Sequence, residues 1–178
     1  MTGTAWHTTG PFFPTAFIGP ADGDLTVGRD GSPIDGDAIE IHGQIVDGEG
    51  QPVVNVIVEL WQADPAGRRS GATDRFRGWG RVWTDGKGCY HFRTFRPGRP
   101  EGSVRAPHLC FRLLGSGLMR PLETEAFFPD ETAAGDPQLA AIDAALRSRL
   151  MLVPEPTPGH FRFDIRLRGE GETPFLEE

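Results

Sequence analysis

His108 and Cys110 stand two residues apart in the segment APHLCF. On an extended strand both side chains leave the same face, as two ligands on one strand must. An imidazole and a thiol are metal donors, but two donors are not a site. The remaining histidines, His7, His42, His91 and His160, lie on separate segments with no motif spacing. The plain structural reading of the pair is a partly buried histidine beside a small apolar cysteine. The chemical reading is an independent enzyme using some metal at His108 and Cys110.

Other chemistries find fewer residues. Neither a G-x-S-x-G elbow nor a cysteine-protease signature occurs. Gly48-Glu49-Gly50 and Gly169-Glu170-Gly171 fit neither a P-loop nor a dinucleotide fingerprint and read as turns. Arg68, Arg69, Arg75, Arg77 and Arg81 have two readings: an anion-binding cluster, or a solvated loop paired with Asp64, Asp74 and Asp85.

The elements that must position these residues are short strands. From Ala38, Ile39, Ile41, Gly43 and Ile45 alternate with Glu40, His42 and Gln44, the period of a half-buried strand. After the turn Asp47-Gly48-Glu49-Gly50, residues 53–62 place Val54, Val56, Val58 and Leu60 opposite Asn55, Ile57, Glu59 and Trp61. The two runs predict a hairpin. Strands are expected at 81–84 and 89–94 around Asp85-Gly86-Lys87-Gly88, and at 108–114 and 122–128 around Gly115-Ser116-Gly117. Phe161, Phe163, Ile165 and Leu167 alternate with charged residues and predict a final strand. Asp136 is a natural N-cap before Pro137, and Leu139, Ile142, Leu146 and Leu150 recur at helical spacing until Pro154. These signals predict a mostly β fold: a β-sandwich core with long loops, an N-terminal arm and one short helix. Residues 1–178 read as a single domain, with 1–33 the arm and 38–178 the core.

The totals agree. A chain of 178 residues can bury a core without disulfides, and 24 Gly with 16 Pro suit many tight turns. The formal charge of -7 disfavours nucleic acid or an anionic membrane as partner. Cys89 and Cys110 form no disulfide framework, which suits a reducing compartment. The opening residues lack a secretory pattern, and no segment has the length of a membrane span. The expected location is the cytoplasm.

Four longer segments, VELWQADPAGR at 58–68, GRVWTDGKGCYHFRTFRPG at 80–98, APHLCF at 106–111 and RFDIRLRGEGETPF at 162–175, resemble the intradiol ring-cleavage dioxygenases. Within that family the likeness is to the branch that cleaves protocatechuate with O2, built from two homologous chains. The resemblance implies a β-sandwich, and a non-haem Fe(III) held in the β chain by two tyrosines and two histidines.

This sequence departs from that ligand pattern. Arg69 stands where the family has a tyrosine after A-G-R, Cys110 stands where it has the second histidine of H-x-H, and residues 99–105 contain no tyrosine. Tyr90 is the one tyrosine of the chain. His108, Cys110 and Arg69 are therefore degenerate ligand positions. The resemblance implies no catalytic residue and no metal here, and an iron-binding β partner within a higher-order hetero-oligomer. It also implies that Thr8, Gly10 and Pro11, in the arm, wall the substrate pocket at the subunit interface. Packing between subunits is the alternative role for that arm. Ser116 joins this wall at a position where the α-type pattern has an arginine. Either Arg112 or Arg120 compensates, or the preferred substrate differs. The rival from another class is a non-catalytic scaffold that keeps the sandwich.

Overall fold

The computed structural model describes residues 16, 18, 19, 21–71 and 74–176. Among them the strands are β1 (Ala38–Val46), β2 (Ile57–Trp61), β3 (Trp79–Trp83), β4 (Cys89–Phe95), β5 (His108–Leu114), β6 (Leu122–Phe127), β7 (Val153–Pro154), β8 (His160–Arg162) and β9 (Ile165–Arg166). They form two sheets. One has the order β4-β1-β8-β7, with β9 also on β1, and the other the order β3-β2-β5-β6. The inner faces meet as a sandwich: Ile41, Tyr90, Phe92 and Phe163 from one sheet share a core with Val58, Leu109, Phe111 and Leu113 from the other. The rings of Phe111 and Phe163 stack with centroids 5.2 Å apart across this interface.

The pattern of β1 is realised as the sequence predicts, with Ile39, Ile41, Gly43 and Ile45 buried. The predicted hairpin is not. β1 pairs with β4, β8 and β9, whereas β2 pairs with β3 and β5 in the opposite sheet. After an isolated bridge from Val46 to Pro52, Asn55 adopts φ 58 and the chain leaves the first sheet. Asparagine tolerates this left-handed conformation better than most residues. β2 then starts at Ile57 rather than 53, and Val54 is left exposed. The turn at 85–88 likewise connects different sheets, since β3 and β4 belong to opposite layers.

Two other elements are shorter than their patterns predict. The C-terminal run is split into β8 and β9 because the Asp164 carboxylate, not a main-chain group, accepts the Gln44 N–H at 3.1 Å. Alternation survives the break, with Phe163 and Ile165 both buried. Helix α1 (Pro137–Ala141) ends at Ile142, whose ψ of 142 is extended. The Arg147 guanidinium donates to the carbonyls of Ile142 at 2.9 Å and Ala140 at 2.8 Å, satisfying groups that a longer helix would have used itself. A 3-10 turn, Arg147–Leu150, follows. Leu139 and Leu150 still reach a common cluster with Ala106, Phe127 and Ala133.

The described part of the arm is not peripheral. Leu25 is wholly buried in the main core, and its N–H donates to the Arg93 carbonyl at 2.8 Å. Among the described residues no helix is long and apolar enough to cross a membrane.

Tyr90 ties β4 to the C-terminal segment: its hydroxyl donates to the Phe163 carbonyl at 2.5 Å inside the core. Tyr90→Phe removes that donor and leaves a buried carbonyl unpaired. The expected loss is about 1–3 kcal/mol of unfolding free energy, read by urea denaturation.

Candidate functional site

β5 alternates Leu109, Phe111 and Leu113 into the core with His108, Cys110 and Arg112 on the outer face. The register of β6 sets Glu125 directly opposite Cys110 and Glu123 opposite Arg112. β2, on the other side, sets Trp61 opposite Cys110. The pairing thus adds a carboxylate to the two donors. His108, Cys110 and Glu125 offer ligand atoms that all lie within 4.8 Å of one another. A cavity of about 230 Å³ reaches Cys110 and Glu125 between Trp61, Arg112 and Glu123.

The segment around α1 closes the other side of the group. Arg105 donates through Nη2 to Glu125 Oε2 at 2.5 Å, through Nε to Asp136 Oδ2 at 2.8 Å and through Nη1 to Gln138 Oε1 at 2.6 Å. Asp136 is fully buried, and it also accepts the N–H groups of Ala106, Gln138 and Leu139 at 2.8–3.0 Å. It is the N-cap of α1, as its sequence context predicts. Burial pushes its carboxyl up, but the Leu139 N–H, Arg105 and the Ala106 N–H together outweigh this and hold it below its usual range. Burial works against the Arg105 cation as well, yet its bonds to Glu125 and Asp136 keep it charged.

Of the degenerate ligand positions, His108 and Cys110 come together, and Arg69 remains exposed. The His108 Nδ1 lies 2.7 Å from the Ala106 carbonyl. A carbonyl only accepts, so Nδ1 carries the proton and a neutral ring keeps its lone pair on Nε2. Burial first, and the Glu125 charge second, push the Cys110 thiol up to about 12, so it is protonated at neutral pH. Thr8, Gly10 and Pro11 lie outside the described residues. Ser116 is exposed in the turn at the far end of β5 from His108, so this chain does not bring it to His108 and Cys110.

Sequence reasoning missed Glu125, Arg105 and Asp136 as members of one group. A glutamate beside Ala126, Phe127 and Phe128 was the available signal, since a charge in so apolar a strand calls for a partner. Four arginines of the predicted cluster are paired with carboxylates: Arg68 with Asp64, Arg75 with Asp30, Arg77 with Asp22 and Arg81 with Glu59. The sequence expectation named Asp74 and Asp85 as partners. Instead Asp74 accepts the Gly71 N–H and Asp85 organises the 85–89 turn.

The sequence profile of the Dioxygenase family (Dioxygenase_C) matches residues 8–169. The chain is 36% identical over 186 residues to the protocatechuate 3,4-dioxygenase beta chain of Burkholderia cepacia, covering 92% of this chain and 79% of that one. It is 33% identical over 155 residues to the alpha chain from the same organism, covering 80% of this chain and 78% of that one. Its fold superposes with TM-score 0.62 and 24% identity on the dioxygenase domain of a dioxygenase carbohydrate-binding protein fusion from Streptomyces sp. SirexAA-E, covering 94% of this chain and 99% of that one.

Intradiol dioxygenases use Fe(III), a hard ion suited to phenolate oxygen and imidazole. The donor set here does not fit it. It offers one imidazole, a soft sulfur donor and a carboxylate, and no phenolate. The single tyrosine, Tyr90, points into the core on the inner side of β5, where burial raises its pKa well above the usual value. Its hydroxyl is engaged with Phe163. From the extent of the profile match and the identity to both chains, this protein belongs to the intradiol ring-cleavage dioxygenase family.

Proposed function

We propose that this chain is the α-type subunit of a protocatechuate 3,4-dioxygenase, holding no iron itself and working beside a homologous iron-bearing β chain. The observation that carries this reading is the donor set: His108 is the one imidazole of the group, Cys110 stands beside it in place of a second, and the single tyrosine, Tyr90, is turned into the core. Overall identity is higher to the beta chain, 36% against 33% for the alpha chain of the same organism. What supports the alpha-type reading is the donor chemistry, which lacks the phenolates and the second imidazole of an iron site.

In this reading the pair cleaves protocatechuate between its two hydroxyl-bearing carbons, placing both atoms of O2 in 3-carboxy-cis,cis-muconate. This chain contributes the interface and part of the pocket wall through Thr8, Gly10, Pro11 and Ser116. A wall that excludes water strengthens the electrostatic interactions of the partner's site. In this reading the complex is a cytoplasmic hetero-oligomer, the location that the two free cysteines suit.

The test is to express the chain with and without a β partner, then measure iron content and O2 uptake with protocatechuate. The expected result is an iron-free, inert chain and an active, iron-containing pair. Iron and ring cleavage in the chain alone would overturn the reading. An iron-bearing β chain that is equally active without this one would reduce it to a scaffold.

A further inference from the structure

The site that rejects Fe(III) has the geometry of a different one. We infer that His108 Nε2, Cys110 Sγ and Glu125 Oε1 form a three-ligand site for a single borderline divalent cation of the Zn2+ type, with water in the fourth position. This goes beyond the supporting role and does not depend on it.

Donor identity is the first argument. Imidazole, thiolate and carboxylate are all ligands of Zn2+, and three protein donors with one open position are the arrangement of its non-structural sites. Spacing is the second. In a tetrahedral zinc site the donors stand about 3.3–3.8 Å apart, from bond lengths of roughly 2.0–2.3 Å. Glu125 Oε1 lies 3.8 Å from His108 Nε2 and 4.0 Å from Cys110 Sγ. Those two gaps close with about half an ångström each, and the His108 and Cys110 donors, within 4.8 Å of each other, approach by about 1.3 Å at most.

Orientation is the third argument. The Ala106 carbonyl accepts the Nδ1 proton of His108, which aims the Nε2 lone pair at the group. This support of the ring from its far nitrogen is what metal-ligating histidines normally have. Arg105 holds Glu125 through Oε2 and leaves Oε1 for the cation. The two carboxylates, Glu125 and Asp136, face one guanidinium, so the buried cluster carries one negative charge in excess. A divalent cation bound with loss of the Cys110 proton to solvent makes the cluster neutral. The cavity beside Trp61 and Glu123 offers access.

The test uses the full chain stripped of metal with a chelator and titrated with Co2+ and with Zn2+. One equivalent of Co2+ is expected to bind with a thiolate-to-cobalt charge-transfer band in the near ultraviolet, and Zn2+ is expected to displace it. The band should persist in Cys89→Ser, which leaves Cys110 as the one thiol, and vanish in Cys110→Ser. Affinity in Cys110→Ser should fall by at least ~100-fold, more than the loss of a group that only orients a ligand. Absence of the band in both the native chain and Cys89→Ser, or its loss in Cys89→Ser alone, overturns the site. Because Cys89→Ser is decisive, the outcome does not depend on Cys110→Ser folding.

Discussion

Asp136→Ala is expected to cost about 3–5 kcal/mol of unfolding free energy, the range for removing one partner of a buried ion pair. The carboxylate accepts three backbone N–H groups and the Arg105 Nε. Its removal leaves Arg105 short of a counter-charge and α1 without its cap, and the cap alone is worth about 1 kcal/mol. Asp136→Asn separates the two roles, because the amide oxygen can still cap the helix while the charge is gone. Its loss should fall between those of the native chain and Asp136→Ala in urea or guanidinium denaturation.

The pH dependence follows from the same bonds. The folded-state pKa of Asp136 lies below the ordinary value of 3.8. Its contribution is therefore fully present above the unfolded-state pKa and is lost as the pH falls through the lower folded-state value. Acid titration of stability should be steeper below pH 3.8 for the native chain than for Asp136→Ala. Equal slopes would mean that the carboxylate is not held by Arg105 and the backbone as described.

Gly43→Ala is the second change with a large expected effect. A Cβ at this position would lie 1.9 Å from the Phe163 carbonyl oxygen and 2.8 Å from the Tyr90 hydroxyl. Both atoms belong to the hydrogen bond that joins β4 to the C-terminal segment. Backbone cannot swing aside as the end of a long side chain can, so β1 and the 160–166 segment must separate. Overpacking a core usually costs 1–3 kcal/mol. A clash with backbone on this scale is expected to cost about 4 kcal/mol or more, at the exceptional end for single substitutions. Loss of soluble folded protein, or a midpoint shift of that size, is the expected measurement. A near-native midpoint would mean that β1 and the C-terminal segment are not in this contact.

Much of this was legible along the chain. Alternation in 38–46 determines which side chains of β1 face the core, because the side-chain period of a strand is two. Asp136 before Pro137 marks the start of α1 through local backbone chemistry. The end of α1 was not legible, because Leu146 and Leu150 continue the helical spacing. The arginine that satisfies the last carbonyls of a broken helix leaves no periodic trace. Likewise the strength of the 53–62 alternation suggested a hairpin, yet one left-handed Asn55 sends β2 to the other layer.

The sequence by itself determined that this chain has one tyrosine, and so cannot present two phenolates to a metal. It also determined that His108 and Cys110 leave β5 on the same face. Tertiary structure decided what stands opposite them. Glu125 meets Cys110 through the register of β5 and β6, and Asp136 meets Arg105 through a segment 31 residues away. Register depends on how whole hydrophobic faces come together, and a slip of one residue would turn Glu125 to the other face. No local pattern encodes that choice, since it is made by the shared core of the two sheets.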